Sequence, residues 1–359
     1  MNEAPPPVAG PMSSAGLSER GRAVVAHAAG LWPGTGLAAL IAVAATFVST
    51  LHGGPQLLYA LFFGVAFHYL SHEPKTRPGI EFCSRTLLRF GVGLLGARIT
   101  ASQIVSLGWV TALIVVGGVL STLALGLLLG RRLGMTRAQG VLSGGAVAIC
   151  GASAALAISA VLPREKGGDR FTLMVVVTVT VMSTLAMVLY PLVAKLLHLP
   201  PELAGLFIGG TIHDVAQVVG AGYMLSHQTG DIATVVKLFR VSLLALVVVS
   251  VASAFKRSRE QGDAAHADGH AAAKQSLVPW FLWLFVAMVA FNSASVFPAS
   301  LQEQLGTVSR TCLVMAIAAL GMKTSFAQLA RAGWRPFVLI LVETLWLAAL
   351  VLVCALLRM

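Results

Sequence analysis

The stretch Leu95-Gly96-Ala97-Arg98-Ile99-Thr100, followed by Gln103 and Gly108-Trp109, recurs 225 residues later as Leu320-Gly321-Met322-Lys323-Thr324-Ser325, followed by Gln328 and Gly333-Trp334. Five positions are identical, a cation matches a cation and a hydroxyl a hydroxyl, all in one register without a gap. Such agreement in an otherwise repetitive apolar chain indicates an internal duplication. Carried backwards, the offset lays the apolar run 55–71 over 277–297, so helices two to four correspond to the last three. An odd number of crossings separates the partners, and the two copies are expected to be inverted. That is the repeat architecture of secondary transporters, whose sites form where the repeats meet.

A chain that is 57% hydrophobic and 11% charged, with a mean hydropathy of +0.84, cannot cover a water-soluble surface with polar groups. The expected fold class is an all-α polytopic membrane protein. Apolar runs near the roughly 20 residues needed to span a bilayer lie at 35–51, 55–71, 80–97, 109–130, 171–197, 232–254, 277–297, 308–322 and 335–357. Two further segments, 139–162 and 203–226, are rich in glycine and polar residues, giving nine ordinary spans and two irregular ones. The chain then divides into a flexible tail (1–31), first-repeat helices (32–130), a central region with the irregular segments (131–231) and second-repeat helices (232–358). The polar stretch 255–276 lacks a periodic apolar face and reads as a solvated loop. His266 and His270 in it read as solvated histidines rather than a metal site.

The net charge of +11 does not signal nucleic acid, because the basic residues are scattered through short loops. Lys75, Arg77, Arg131, Arg132, Arg137, Lys256, Arg257, Arg259, Arg331 and Arg335 fall in alternate loops, which the positive-inside rule makes cytoplasmic. The N-terminus, with Arg20 and Arg22, is expected on the same side. Cys83, Cys150, Cys312 and Cys354 lie in apolar runs without ligand spacing, so neither disulfides nor metal are expected. No Walker A loop, nucleophile elbow or His-Glu-x-x-His motif occurs, so neither an enzyme nor a cofactor is expected, and transport would run on an ion gradient or downhill.

Gly140 and Gly205 are each followed four residues later by a glycine pair, Gly144-Gly145 and Gly209-Gly210. Glycine costs about 1 kcal/mol against alanine inside a helix, so these pairs mark places where a helix can stop. A break leaves free N–H groups at a positive helix end, an anion site, with Ser143, Ser153 and Thr211 as flanking hydroxyls. Close packing is the competing use of such glycines. If each segment dips in and returns to its own side, the flanking loops obey the charge rule; full crossing by a broken helix is the alternative.

His213-Asp214 with Gln217 is the sharpest local feature, since an ionisable pair in an apolar segment marks a functional candidate. Such a pair in low dielectric can exchange a coupling proton near physiological pH, with Gln217 orienting either partner. Lys237 and Arg240 lie on one face of the next span, and Lys237 can neutralise Asp214 or a substrate. Arg85 and Arg89 can draw anions into a vestibule. Arg98 and Lys323 are the repeat-matched cations, and Glu343 is a second possible proton carrier or the partner of a buried base. Near-membrane cations outnumber the carboxylates Asp214 and Glu343, which suits an anionic solute better than a metal ion.

Phe90-Gly-Val-Gly-Leu-Leu-Gly-Ala-Arg98, Ser143-Gly-Gly-Ala-Val-Ala-Ile-Cys-Gly-Ala-Ser-Ala154, Gly209-Gly-Thr-Ile-His-Asp-Val-Ala-Gln-Val-Val-Gly-Ala-Gly222 and Val236-Lys-Leu-Phe-Arg240 resemble the bacterial YeiH family, also called the sulfate exporter family, from about residue 32 to the end. The resemblance implies an inner-membrane carrier distantly similar in architecture to bile acid:sodium symporters and sodium/proton antiporters. It also implies that Gly144, Gly145, Gly209, Gly210, His213, Asp214, Gln217 and Lys237 belong to the site. The leading expectation is a proton-coupled carrier, with export the direction the family name suggests, of sulfate, sulfite or an organosulfonate-like oxyanion. Alternatives are a sodium/proton antiporter, a sodium-coupled organic anion symporter and a passive anion channel. Beyond the solute, the coupling ion and the bilayer no partner is expected, and the sequence leaves a homodimer open.

Overall fold

The computed structural model describes residues 14–52, 54–163, 167–256, 279–324 and 334–359. The tail up to residue 13, His266 and His270 with most of their loop, and the repeat positions Ser325, Gln328 and Gly333 lie outside the described residues. The described chain is helical, with no strand. Six of its helices are long and apolar enough to cross a membrane, and three apolar ones are shorter.

The helices are α1 (Ser14–His52), α2 (Gln56–Ala66), α3 (Arg77–Phe82), α4 (Leu88–Leu95), α5 (Ala101–Ser106), α6 (Gly108–Arg132), α7 (Arg137–Ala148), α8 (Ala152–Ser159), α9 (Gly168–Leu196), α10 (Pro201–Thr211), α11 (Val215–Leu225), α12 (His227–Ala254), α13 (Trp280–Ser293), α14 (Ala299–Lys323) and α15 (Trp334–Leu356). Their starts follow local chemistry. Thr100 with Gln103 and Thr136 with Gln139 form capping boxes for α5 and α7. Pro201 opens α10, and Ser226 caps α12 through the Thr229 N–H at 3.0 Å. Two expected spans are not single α-helices. The run 55–71 is α2 plus a 3-10 turn at His68–Ser71, and 80–97 carries a π-helical turn at Cys83–Leu87 between α3 and α4. α1 begins at Ser14, inside the expected tail, where alanines favour helix.

The 225-residue offset holds element by element: α2 corresponds to α13, α3–α4 to α14, and α6 to α15. The correspondence carries through to packing. α2 packs on α14, while its counterpart α13 packs on α4 and the 3-10 turn Gly96–Arg98. A β-carbon at Gly96 would lie 2.4 Å from the Phe285 carbonyl oxygen, and one at Gly321 would lie 2.4 Å from that of Leu61. Both glycines thus let the exchanged helix approach backbone to backbone.

The contacts sort the helices into two bundles. One holds α1–α4, α13 and α14; the other holds α6–α12 and α15. Their main contacts with each other are those of α11 with α2 and α14.

Candidate functional site

Both irregular segments are helical hairpins. Along α12, Gly205 of α10 packs on Thr229 and Ile232, and Gly209 on Ala233 and Val236, so α10 runs parallel to α12. Gly222 of α11 packs at the same level, against Gly230 and Ala233, so the chain has doubled back. In the other hairpin Gly140 and Gly144 of α7 pack on Gly126 and Thr122 of α6, and Gly145 faces Ile158 of α8 across the break. The tips are Ile149-Cys150-Gly151 and Ile212-His213-Asp214.

The tips touch. Gly151 has φ +60° and ψ −123°, which glycine alone adopts readily, and a β-carbon there would lie 3.3 Å from His213 Cβ. Between them end two cations: Lys237 is wholly buried and Arg240 is 1% exposed. Lys237 Nζ donates to the carbonyls of Ile149 (2.6 Å), Ile212 (2.9 Å) and His213. Arg240 donates from Nε and Nη2 to Ala148 (3.0 and 2.8 Å), from Nη2 to Val147 (3.1 Å), and from Nη1 to Gly209 (3.0 Å) and Ile212 (3.1 Å). The C-terminal carbonyls of a helix lack intrahelical partners and carry partial negative charge. Two cations therefore satisfy the C-terminal ends of α7 and α10 together. With three N–H donors on three carbonyls, the Lys237 ammonium has none left for a substrate.

The opposite, positive ends belong to α8 and α11. Asp214 caps α11, its Oδ1 accepting from the Ala216 N–H at 2.8 Å, and its own N–H donates to Ser183 Oγ at 3.0 Å. α8 begins at Gly151 with no side-chain cap, and Ser153 in its first turn is exposed. The glycine pairs lie inside α7 and α10, before the breaks, and serve close packing: Gly145 on Ile158, Gly209 on the Ala233 carbonyl, Gly210 on Val351. Asp214 is half-buried, and the cations acting on it are Lys237, Lys323 and Arg89. Lys323 and Arg89 are exposed side chains of the first bundle, so the tips face a cationic mouth between the bundles. Lys323 Nζ donates to Ser84 Oγ at 3.3 Å, and Arg85 pairs with Glu81 at 3.0 Å.

The remaining predicted residues sit behind the tips. Ser143 donates to Glu343 Oε2 at 2.6 Å, and Thr211 bonds back to the Phe207 carbonyl at 2.5 Å. His213 Nε2 meets Thr344 Oγ1 at 3.0 Å, and Gln217 Nε2 donates to Thr184 Oγ1 at 2.8 Å. Adjacent residues of α15, Glu343 and Thr344, thereby hold one hairpin each. Among the described residues, Gln217 Oε1, Glu343 Oε1 and Thr178 Oγ1 find no hydrogen-bond partner and are buried. Arg98 lies at the far end of α4, away from the tips and over Gly306.

The model of the family described as conserved hypothetical protein 698 matches residues 33–340. The chain belongs to this family of UPF0324 membrane proteins. A UPF0324 membrane protein of Chlorobaculum tepidum is 48% identical over 323 residues, covering 89% of this chain and 88% of that protein. The UPF0324 membrane protein TauZ of Paracoccus pantotrophus is 46% identical over 321 residues (89% and 93%), and TauZ of Paracoccus denitrificans is 44% identical over 321 residues (89% and 93%). No solved structure matches the chain. The resemblance read from the four motifs thus holds at the level of the family, and this UPF0324 protein is a multi-pass membrane protein.

Sequence reasoning missed Ser183, Thr184 and Thr344, single hydroxyls in apolar helices that nothing local distinguishes. It also missed Arg310, for which a signal existed: Ser84-Arg85-Thr86 returns as Ser309-Arg310-Thr311 at the offset of the repeat.

Proposed function

We propose that this UPF0324 protein is a secondary active carrier of a small oxyanion of the sulfate, sulfite or organosulfonate class, working by alternating access. The observation that carries the reading is the contact of two hairpin tips over Lys237 and Arg240, with the uncapped N-terminus of α8 and the carboxylate of Asp214 side by side. Polar backbone at membrane depth is tolerated where it lines a wet cavity, and half-helix N-termini attract anions there. In this reading the hairpins are re-entrant, entering from opposite sides of an inner membrane with the N-terminus cytoplasmic, and the repeats are inverted.

The solute's oxygens would accept from the N–H groups of Ala152 and Ser153 and from the Ser153 hydroxyl. Lys237 and Arg240 hold the tips rather than the solute. Asp214, with His213 behind it, exchanges the proton, and Arg89 and Lys323 concentrate anions at the mouth. The sparse contact between the bundles suits a sliding of α6–α12 with α15 against the rest.

Purified protein in sealed vesicles tests this. Accumulation of labelled sulfate, sulfite or ethanesulfonate driven by a pH step is expected. Sodium-driven proton movement with no anion flux would replace the reading by cation exchange, and conductance far above carrier turnover would replace it by a channel.

A further inference from the structure

A cavity lies between the bundles at the end of α11 away from the tips, with a volume of about 390 Å³. Tyr223 and Met224 line it while Asp214 marks the tips, a separation of about 14 Å along the helix at 1.5 Å per residue. Four basic side chains converge on it, two from each bundle: Arg98 and Arg310 from the first, Lys195 and His227 from the second. Among the described residues no carboxylate forms a salt bridge with Arg98, Lys195 or Arg310, the single such pair being Arg85 with Glu81. Asp231 is the acid near them, and its Oδ1 is held by the Tyr223 hydroxyl.

The cavity is a built feature. Arg98 lies against Gly306, where a β-carbon would come 3.2 Å from its Cδ, so glycine there gives the guanidinium stem room on α14 that a larger residue would crowd. Arg310 Nη2 reaches His227 Nε2 at 3.3 Å across the gap between bundles. The repeat accounts for the pair of arginines. Arg98 corresponds to Lys323, and Arg310 to Arg85, and those counterparts flank Ser84 near the mouth that faces Asp214. Each copy of the duplicated helix thus contributes cations to both mouths.

We infer that this cavity is a second anion-binding site, distinct from the hairpin tips, which takes an oxyanion head bearing a short apolar tail and ties the two bundles together through it. The head is set by the unpaired cations, whose bidentate arginines suit sulfonate, carboxylate or phosphate oxygens. The tail is set by Leu57, Leu95 and Leu313 in the same wall. The volume falls at the low end of the roughly 300–1,000 Å³ typical of ligand pockets, which suits a short organic anion. The same head could arrive as a soluble sulfonate or as the phosphate of an anionic lipid. The site does not require the carrier reading.

The test is thermal unfolding of the full-length purified protein with sodium ethanesulfonate or sodium butanesulfonate against equal ionic strength of sodium chloride. A saturable rise in the midpoint is expected. The double variant Arg98→Gln/Arg310→Gln should weaken its apparent affinity at least tenfold, Lys195→Gln at least threefold, and Asp214→Asn should leave it unchanged. Should the double variant not fold, Lys195→Gln and His227→Gln carry the test. Nanodiscs of phosphatidylglycerol, compared with phosphatidylcholine, distinguish the source: loss of the sulfonate response in phosphatidylglycerol alone supports the site with a lipid head as occupant. An unchanged response in the double variant, in Lys195→Gln and in His227→Gln, or no response to either sulfonate or phosphatidylglycerol, overturns the site. Flux in vesicles is a separate readout: an unchanged thermal response in the cavity variants beside retained flux removes this site and leaves the proposed function, and lost flux beside a response that the cavity variants weaken does the reverse.

Discussion

Gly151 and His213 meet at the tips of two separate helical hairpins, so closely that a β-carbon on Gly151 would lie 3.3 Å from that of His213. Neither hairpin could end there alone, because each brings unpaired backbone carbonyls into the interior. The shared cations Lys237 and Arg240 resolve both ends together.

Lys237→Met should therefore behave as a loss of structure and not merely of transport. It leaves the carbonyls of Ile149 and His213 without their donor, while Ile212 keeps Arg240, and each buried orphan costs about 1–3 kcal/mol. A strong fall in the unfolding midpoint and in folded yield is expected. A midpoint equal to the parent's would mean that the tips are held by something else.

Asp214→Asn should leave the fold intact, because an Asn oxygen still accepts from the Ala216 N–H and Asn is as good an N-cap as Asp. It removes the group proposed to exchange the proton at the mouth. Anion flux in vesicles should persist downhill and lose its dependence on a pH step; still proton-driven accumulation in this variant would discard Asp214 as the coupling group.

Ser153→Cys should react with a membrane-impermeant thiol reagent, since Ser153 is exposed at the first turn of α8. The native cysteines offer little background: Cys83, Cys150 and Cys312 are buried, and Cys354 can be changed to Ser. Transported anion should slow the labelling severalfold. Equal labelling with and without anion, in protein that transports, would move the solute away from α8.

Glu343→Gln should be tolerated where Glu343→Ala is not. The carboxyl is wholly buried, accepts from Ser143 and faces Gly126 at close range, and among the described residues no cation pairs with it. An amide keeps that acceptor and volume without charge, whereas Ala opens a cavity and strips Ser143 of its partner. A retained midpoint for Gln and a drop of several degrees for Ala are expected; equal drops would contradict the packing role.

Much of this was legible in the sequence because the signals were periodic or expensive. The repeat offset, the apolar runs and the His213-Asp214 pair each followed from patterns that a membrane chain does not keep without cause. The glycine pairs were less legible. Gly144-Gly145 and Gly209-Gly210 announce close approach, but whether a glycine stops a helix or admits a neighbour depends on the neighbour, here α6, α8, α12 and α15. The breaks fall just beyond them, at residues that include Ile149 and Ile212, which carry no breaking signal of their own. The roles of Lys237 and Arg240 were hidden for the same reason: their acceptors are backbone carbonyls, which every residue has.

The duplication itself can be tested through Gly96 and Gly321. At each, a β-carbon would sit 2.4 Å from a carbonyl oxygen of the exchanged helix, Phe285 in one case and Leu61 in the other. Backbone cannot step aside as a side-chain end can, so Gly96→Ala and Gly321→Ala should each force a helix pair apart, at the roughly 1–3 kcal/mol typical of overpacking. Gly117→Ala is the control, because nothing lies within 4 Å of its added carbon and it sits mid-helix in α6, where Ala should be neutral or slightly stabilising. Midpoint losses of similar size at the two repeat positions, with none at Gly117, are expected. A loss at one repeat glycine and not the other would mean that the exchanged packing is not symmetric in energy, however closely its geometry repeats.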